Sequence, residues 1–185
     1  MLCSFANRPK KANAIETCVY SDTTNADTDT MPTIDETIAL IERLFDGVTD
    51  KGGAPYAGHC LRVMAGLPAT ATEDERHAAL LHDALEDTPL EVGDLEWRGY
   101  SKRTIDLVIM LSRPKGPGRP SYMDWIRQIA ATGDSGLIAI KLADNADNSD
   151  PARIAQLPPE QQSIADRYAR ARKILEAAIT AAKGA

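Results

Sequence analysis

The chain has 185 residues, of which 43% are hydrophobic and 26% are charged, as is ordinary for a globular protein with one sizeable core. Its net charge of −6 argues against electrostatic binding to nucleic acid or to anionic membranes, and no apolar run approaches the roughly 20 residues of a membrane-spanning helix. The three cysteines lack paired or zinc-like spacing, which fits a reducing, cytoplasmic location.

Residues 1–32 are predicted to be a disordered leader. The segment 21–30 is rich in Thr, Asp, Asn and Ser, and residues 1–30 show no lasting hydrophobic periodicity. Helical patterns begin after this leader, so we expect one folded domain over residues 33–183.

Helical signals follow one another along the rest of the chain. Thr33 and Glu36 form a capping box ahead of apolar residues at helical spacing, and Thr72 and Glu75 form a second one. The helix that starts at Thr72 should end before Pro89, because the residue before a proline avoids helical geometry. Further helices are expected at about 57–67, 91–97, 101–111, 122–131 and 137–149, and from the Pro158-Pro159 pair to about residue 183. No strand pattern appears, so we predict an all-α fold of about seven to eight helices.

The stretch from His77 to Asp87 carries an unusual concentration of metal-seeking groups. On a helix, residues three and four apart are neighbours, so His82 lies beside Glu86. By the same rule Asp83 lies beside both Glu86 and Asp87. Like charges this crowded are costly unless a partner neutralises them, and a divalent cation is such a partner. The alternative interpretation is the acidic face of an amphipathic surface helix.

Three other features carry candidate functional groups. His59 is either a metal ligand or a structural histidine. Asp144 emerges from an apolar helical segment, where a carboxylate needs a partner because burying an unpaired charge is expensive. The loop 113–120 is rich in glycine and proline, and its cations either close on substrate phosphates or belong to a solvated linker. Those cations are Arg113, Lys115 and Arg119.

Three motifs, in this order and at these separations, resemble those of the HD-domain phosphohydrolase superfamily. They read Gly-Ala-Pro-Tyr-Ala-Gly-His59, then Leu-Leu-His82-Asp83-Ala-Leu-Glu86-Asp87, then Lys-Leu-Ala-Asp144-Asn-Ala-Asp-Asn148. More narrowly, the chain resembles the hydrolase domain of RelA/SpoT-type enzymes and the single-domain small alarmone hydrolases over about residues 34–180.

The resemblance implies a single HD-domain helical bundle that holds one divalent metal ion. Manganese is the expected ion, and iron, zinc and nickel are the alternatives. The ligands implied by matching position are His59, His82, Asp83 and Asp144. The resemblance also implies that Glu86 and Asp87 position or activate the attacking water.

The residue types suit this chemistry. Two imidazoles and two carboxylates form a mixed nitrogen and oxygen site that suits Mn²⁺. Four protein ligands on a metal that prefers six leave room for water and a phosphate oxygen, and a neighbouring carboxylate can accept the proton of that water. The chain has only three histidines, and His77 faces a different side of its helix from His82. A second metal, as in dinuclear HD phosphodiesterases and dinuclear iron oxygenases, is therefore not expected.

The resemblance also implies substrate contacts. Lys51 matches a lysine that approaches the nucleotide, and Asn148 matches an asparagine on the nucleoside side of the pocket. Tyr56, in the same loop as Lys51, either contacts the substrate or packs in the core. The chain departs from the RelA/SpoT pattern at Asp50 and Asp150, which stand where arginines are expected. Both departures replace positive with negative charge near the expected nucleotide.

The motifs therefore predict a metal-dependent phosphohydrolase whose partner is a small phosphorylated nucleotide rather than nucleic acid or a membrane. The expected reaction removes the 3′-pyrophosphate from guanosine tetraphosphate or pentaphosphate. The departures at positions 50 and 150 keep a second interpretation open, a phosphatase that acts on NADPH or on an adenosine alarmone. A third interpretation is a non-catalytic domain that senses nucleotides.

Overall fold

The structure is a computed structural model that describes residues 31–50 and 52–183. The predicted disorder of residues 1–30 and the predicted role of Lys51 lie outside these residues. The described residues form α-helices joined by loops, together with one 3-10 turn at Pro159–Gln161. The helices are α1 (Ile34–Leu44), α2 (Tyr56–Ala65), α3 (Glu73–Leu81), α4 (Ala84–Asp87), α5 (Val92–Trp97), α6 (Lys102–Leu111), α7 (Tyr122–Ala131), α8 (Ser135–Asn148), α9 (Pro151–Ala155) and α10 (Ile164–Lys183).

The predicted all-α fold is confirmed, and no β-strand occurs in the part of the chain that the structure describes. That part has ten α-helices, two more than the upper end of the predicted range. The short helix α9 was not expected, and the expected helix after Thr72 is divided into α3 and α4.

The prediction of one continuous helix through the central stretch is wrong. Helix α3 ends at Leu81, and α4 starts at Ala84. His82 contributes to this break, because its Nδ1 lies 2.8 Å from the carbonyl oxygen of Ala79 and satisfies an acceptor near the end of α3. Asp83 then starts the next turn, since its carbonyl accepts hydrogen bonds from the backbone nitrogens of Glu86 and Asp87.

Both predicted capping boxes are present. The Thr33 side chain accepts a hydrogen bond from the Glu36 backbone nitrogen, while the Glu36 carboxylate accepts one from the Thr33 nitrogen. Thr72 and Glu75 form the same reciprocal pair at the start of α3. Each box satisfies backbone donors that the first turn leaves unpaired, so it fixes where the helix begins.

Helix α3 lies at the centre of the bundle and contacts α1, α2, α6 and α8. Its residues 78–81 are fully buried, and the two alanines among them allow neighbouring helices to approach closely. Helix α8 contributes the buried Leu137, Ile138 and Ile140, while α10 packs across α7 and α8. The side chains at the ends of α3 and α8 are thereby held in a rigid frame.

His77 belongs to the core and not to the predicted metal site. Its Nδ1 lies 2.8 Å from Oγ1 of Thr37, which in turn lies 2.8 Å from the hydroxyl of Tyr100. These three buried groups connect α1 and α3 to the start of α6 through polar contacts. Separately, none of the described helices is both long enough and apolar enough to cross a membrane.

Candidate metal centre

Three elements bring two histidines and one aspartate together inside the bundle. His59 comes from α2, His82 follows the end of α3, and Asp144 comes from α8. One potential ligand atom from each lies within 4.8 Å of the others, and all three residues are buried. The Oδ1 atom of Asp144 lies 3.3 Å from Nε2 of His59 and 3.7 Å from Nε2 of His82.

The two imidazoles direct their Nε2 atoms into this cluster. Nδ1 of His82 faces the carbonyl oxygen of Ala79, which only accepts hydrogen bonds, so this nitrogen carries the proton. Nδ1 of His59 lies 2.7 Å from the carboxylate of Asp147, an acceptor, and 3.4 Å from the guanidinium of Arg153. The shorter contact favours a proton on this nitrogen as well. The Nε2 atoms of both rings are buried without a hydrogen-bond partner among the described residues.

This donor set fits a divalent cation. A buried nitrogen lone pair without a partner is costly, and a metal ion supplies the missing partner. Metal-binding histidines usually donate their other ring N–H to a carbonyl or a carboxylate, as both rings do here. His59, His82 and Asp144 are therefore suited to hold a divalent metal ion.

Asp83, the fourth predicted ligand, lies at the edge of the cluster. Its Oδ2 atom is 3.0 Å from Nε2 of His82 and 3.8 Å from Nε2 of His59. The same oxygen accepts a hydrogen bond from the hydroxyl of Tyr56, whose ring packs against Phe45. Tyr56 thus combines the packing role considered from the sequence with a polar contact to a predicted ligand.

Asp144 is held by two neighbours on its own helix. Nζ of Lys141, itself buried, lies 2.6 Å from Oδ2 of Asp144 and 4.2 Å from the centre of the Trp125 ring. The amide nitrogen of Asn148 donates to Oδ1. Burial alone would raise the pKa of Asp144, but the Lys141 ammonium outweighs it and keeps this pKa well below its usual range. Asp144 is therefore an anion aimed at the two imidazoles.

Glu86 is engaged by the cationic loop 113–120. Its carboxylate accepts hydrogen bonds from the guanidinium of Arg119 and, at 3.2 Å, from the backbone nitrogen of Arg113. The ammonium of Lys115 donates to the backbone carbonyl of Glu86. These contacts place the loop against α4, beside the two acids that were predicted to act on water.

Asp87 has a different environment from its neighbour. It is exposed to solvent at the end of α4. Partial removal of its carboxyl from water, together with repulsion from Asp83 and Glu86, raises its pKa to about 6. A carboxylate with a raised pKa is a stronger base, so Asp87 is the better placed of the two acids to accept a proton at neutral pH.

Asn148, predicted on the nucleoside side, lies between the cluster and a small pocket. Its amide contacts Asp144 on one side. The residues that line the pocket with it come from α9, α10 and the connection between them, and they are Arg153, Ile154, Leu157, Ile164 and Tyr168. Asn148 is thus adjacent both to the predicted metal ligands and to a partly apolar recess.

Asp50 and Asp150, the two departures from the RelA/SpoT pattern, both accept hydrogen bonds from nearby backbone nitrogens. Oδ1 of Asp50 accepts hydrogen bonds from the backbone nitrogens of Gly52 and Ala54, at 2.9 and 3.1 Å. Oδ1 of Asp150 accepts from the backbone nitrogens of Ala152 and Arg153 and caps α9.

Sequence reasoning assigned no role to three residues next to the cluster, Asp147, Arg62 and Arg153, although Asp147 was expected on the same helix face as Asp144. Asp147 binds His59 and forms ion pairs with both arginines. The only local signal was the spacing of Asp147 three residues after Asp144, which puts the two acids on neighbouring positions of α8.

Comparison with solved structures identifies the same bundle in another protein. That protein is described as a metazoan ortholog of SpoT that hydrolyses ppGpp and plays a role in starvation responses, and it superposes with a TM-score of 0.66. The sequences are 22% identical, and the match covers 83% of this chain and 96% of that chain. The two proteins share one fold. The resemblance that the motifs predicted is therefore confirmed at the level of the fold.

No model of a protein family matches the chain, and no curated protein matches it. The shared fold and the cluster of ligand atoms are therefore the two observations from which a function can be argued.

Proposed function

We propose that the chain is a metal-dependent phosphohydrolase that removes the 3′-pyrophosphate from guanosine tetraphosphate or pentaphosphate. The observation that carries this proposal is the convergence of two unpartnered Nε2 atoms and the Asp144 carboxylate at one buried point. The fold supports the choice of substrate, because the SpoT ortholog with the same fold hydrolyses ppGpp.

In this proposal His59, His82, Asp83 and Asp144 hold one divalent cation, and Mn²⁺ is the expected one because the donors are imidazoles and carboxylates without thiolate. When bound, the cation makes water more acidic and offsets negative charge that develops on phosphorus. Lys141 keeps Asp144 ionised, and Tyr56 fixes the rotamer of Asp83 through its hydroxyl.

Residues beside the cluster carry out proton transfer and bind the substrate. Asp87 accepts the proton of the attacking water, which adds to the phosphorus atom attached to the ribose 3′ oxygen. The bond between that oxygen and phosphorus breaks, the released 3′ oxygen takes up a proton to become a hydroxyl, and the products are GDP or GTP and pyrophosphate. The nucleoside part of the substrate is contacted by Asn148, Tyr56 and Lys51. The cations of the loop 113–120 contact the distal phosphates.

Asp50 and Asp150 no longer argue strongly for a different nucleotide. Both carboxylates accept backbone hydrogen bonds, and Asp50 also pairs with Arg62 and Arg153. Because two arginines pair with the buried Asp50 carboxylate, Asp50 does not act as a free anion that repels a phosphorylated substrate. Asp150 is exposed and serves as the N-cap of α9.

The test of this proposal is a nucleotide panel assayed with purified protein that has been loaded with Mn²⁺. The panel contains ppGpp, pppGpp, NADPH and an adenosine alarmone, and released pyrophosphate and orthophosphate are measured separately. We expect pyrophosphate from the guanosine alarmones only. Orthophosphate from NADPH would support the phosphatase interpretation, and intact ppGpp in the presence of bound metal would contradict the proposal.

A second prediction concerns how Glu86 acts. Because the Glu86 carboxylate binds Arg119, we expect Glu86→Gln to weaken substrate binding through this arginine. A partly exposed ion pair contributes about 1 kcal/mol, so KM for ppGpp should rise about fivefold. Arg119→Ala should raise KM at least as much, and the double variant should be no worse than Arg119→Ala alone.

The double-mutant comparison also tests the role that the motifs predicted for Glu86. If Glu86→Gln still lowers kcat by tenfold or more in the Arg119→Ala background, then Glu86 acts on the water directly rather than through Arg119. Asp106→Asn, which removes an acid paired with Lys102 on the exposed face of α6, is the matched control and should leave both constants unchanged.

A further inference from the structure

We propose that Asp147 is a positioning residue for the metal centre. Its carboxylate holds the His59 imidazole so that the Nε2 lone pair is directed into the cluster. Arg62 and Arg153 hold Asp147 in turn, and Asp50 holds both arginines. This inference rests on the metal centre of the proposed function, but it assigns a supporting role to four residues that are not metal ligands.

The contact between Asp147 and His59 sets the ring's tautomer. Oδ2 of Asp147 lies 2.7 Å from Nδ1 of His59, and both side chains are largely buried. A carboxylate only accepts hydrogen bonds, so this 2.7 Å contact favours a proton on Nδ1, and a neutral ring then keeps its lone pair on Nε2. The guanidinium of Arg153, which only donates, lies farther from Nδ1, at 3.4 Å. Asp147 lies three residues after Asp144 on α8, so one helix presents a ligand and the support for a second ligand.

The arginines make the Asp147 contact rigid. Nε of Arg62 lies 2.5 Å from Oδ1 of Asp147, and Arg153 forms an ion pair with Oδ2. Both arginines also reach Oδ2 of Asp50, at 3.5 Å from Arg62 and 3.1 Å from Arg153. The two carboxylates are largely buried while the Arg62 side chain is 45% exposed, and the two guanidinium groups balance the charge of the two acids.

In this proposal both departures from the RelA/SpoT pattern support the ionic network, Asp50 as a member of it and Asp150 through the helix that carries Arg153. Asp50 anchors the arginines and, through its other oxygen, the backbone of Gly52 and Ala54. Asp150 caps α9, the short helix that carries Arg153. The two acids stand where cations were expected because each supports the groups that orient His59.

The inference predicts weaker metal binding when Asp147 is replaced. Outer partners of metal-binding histidines typically contribute 10–100-fold to affinity, so Asp147→Ala should raise the Kd for Mn²⁺ by about that factor. Asp147→Asn keeps an oxygen that can accept the Nδ1–H bond but loses the charge that binds the arginines, so its Kd should lie between those of Asp147→Ala and the wild type.

The Kd is measured on the full chain by titration with Mn²⁺, with free ion detected by electron paramagnetic resonance. Circular dichroism establishes that each variant is folded, and Asp106→Asn is the control for removal of one acid. If Asp147→Ala does not fold, Asp147→Asn alone decides the question. A folded Asp147 variant with the wild-type Kd would overturn the inference.

A second readout separates positioning from a merely structural role. Nitrogen-15 spectra of the three histidine rings report which nitrogen carries the proton, and His59→Gln assigns the His59 signals. In the metal-free wild type we expect His59 to be protonated at Nδ1, and in Asp147→Ala we expect a mixture of tautomers. A wild-type His59 protonated mainly at Nε2 would overturn the inference.

The two proposals fail in distinguishable ways. A wild-type chain that binds no Mn²⁺ at millimolar concentration contradicts the proposed function itself. A wild-type chain that binds Mn²⁺, together with Asp147 variants that bind it equally well, contradicts only the role of Asp147.

Discussion

Replacing Asp144 by asparagine is expected to abolish tight Mn²⁺ binding and to lower ppGpp hydrolysis by about 1,000-fold or more. The change removes the anionic oxygen that faces both Nε2 atoms. A catalytic metal contributes several kcal/mol of transition-state stabilisation, and about 4 kcal/mol corresponds to a thousandfold change in rate. Metal titration measures the first effect, and initial rates at a Mn²⁺ concentration that just saturates the wild type measure the second.

The same substitution should also destabilise the metal-free protein. Lys141 and Asp144 are each only 6% exposed, and their pairing distance is 2.6 Å. Breaking a buried pair leaves one charge without a partner, which typically costs about 3–5 kcal/mol. We therefore expect the free energy of unfolding in urea, measured with a chelator present, to fall by about 3 kcal/mol.

A double variant separates the catalytic loss from the stability loss. In Lys141→Met with Asp144→Asn, the buried ammonium is gone, so most of the lost stability should return. Metal binding should not return, because the ligand oxygen is still uncharged. Recovery of wild-type Mn²⁺ affinity in the double variant would mean that Asp144 is not a ligand.

The resemblance of three short motifs to the HD superfamily was enough to select the residues that cluster, because each motif is local in the sequence. His59, His82 and Asp144 each lie in a motif that resembles those of the HD superfamily, and helices were predicted at or beside all three positions. The structure brings the three together as expected. The predicted substrate contacts stay predictions, including that of Lys51.

The features that were missed depend either on contacts between distant parts of the chain or on a side chain that bonds nearby backbone. The hydrogen bond from His59 to Asp147 joins residues 88 positions apart, and no local spacing encodes it. Asp50 and Asp150 were interpreted as charge reversals because the sequence shows neither the arginines that pair with Asp50 nor the backbone nitrogens that Asp150 caps. The break at His82 was missed because helical spacing does not reveal a side chain that bonds its own backbone.

Asp87→Asn is expected to lower kcat by 100- to 10,000-fold while Mn²⁺ affinity stays within about threefold of the wild type. Those factors are the usual contribution of a positioned general base. Asp87 is not among the clustered ligand atoms, so the metal should still bind. Asp87→Glu keeps a carboxylate and should recover part of the lost rate, which distinguishes proton transfer from a structural defect.

The pH profile provides an independent test of the same role. A base must be unprotonated to act, and the pKa of Asp87 is raised to about 6, so kcat/KM should rise with pH up to about that value and then level off. A bound cation favours the ionised carboxylate and moves this limb to lower pH, so its midpoint should lie at or below pH 6. In Asp87→Asn the residual activity should lack this limb. A variant with near wild-type kcat, or with the same acidic limb, would assign the proton transfer to another group, and Glu86 would then be the next residue to test.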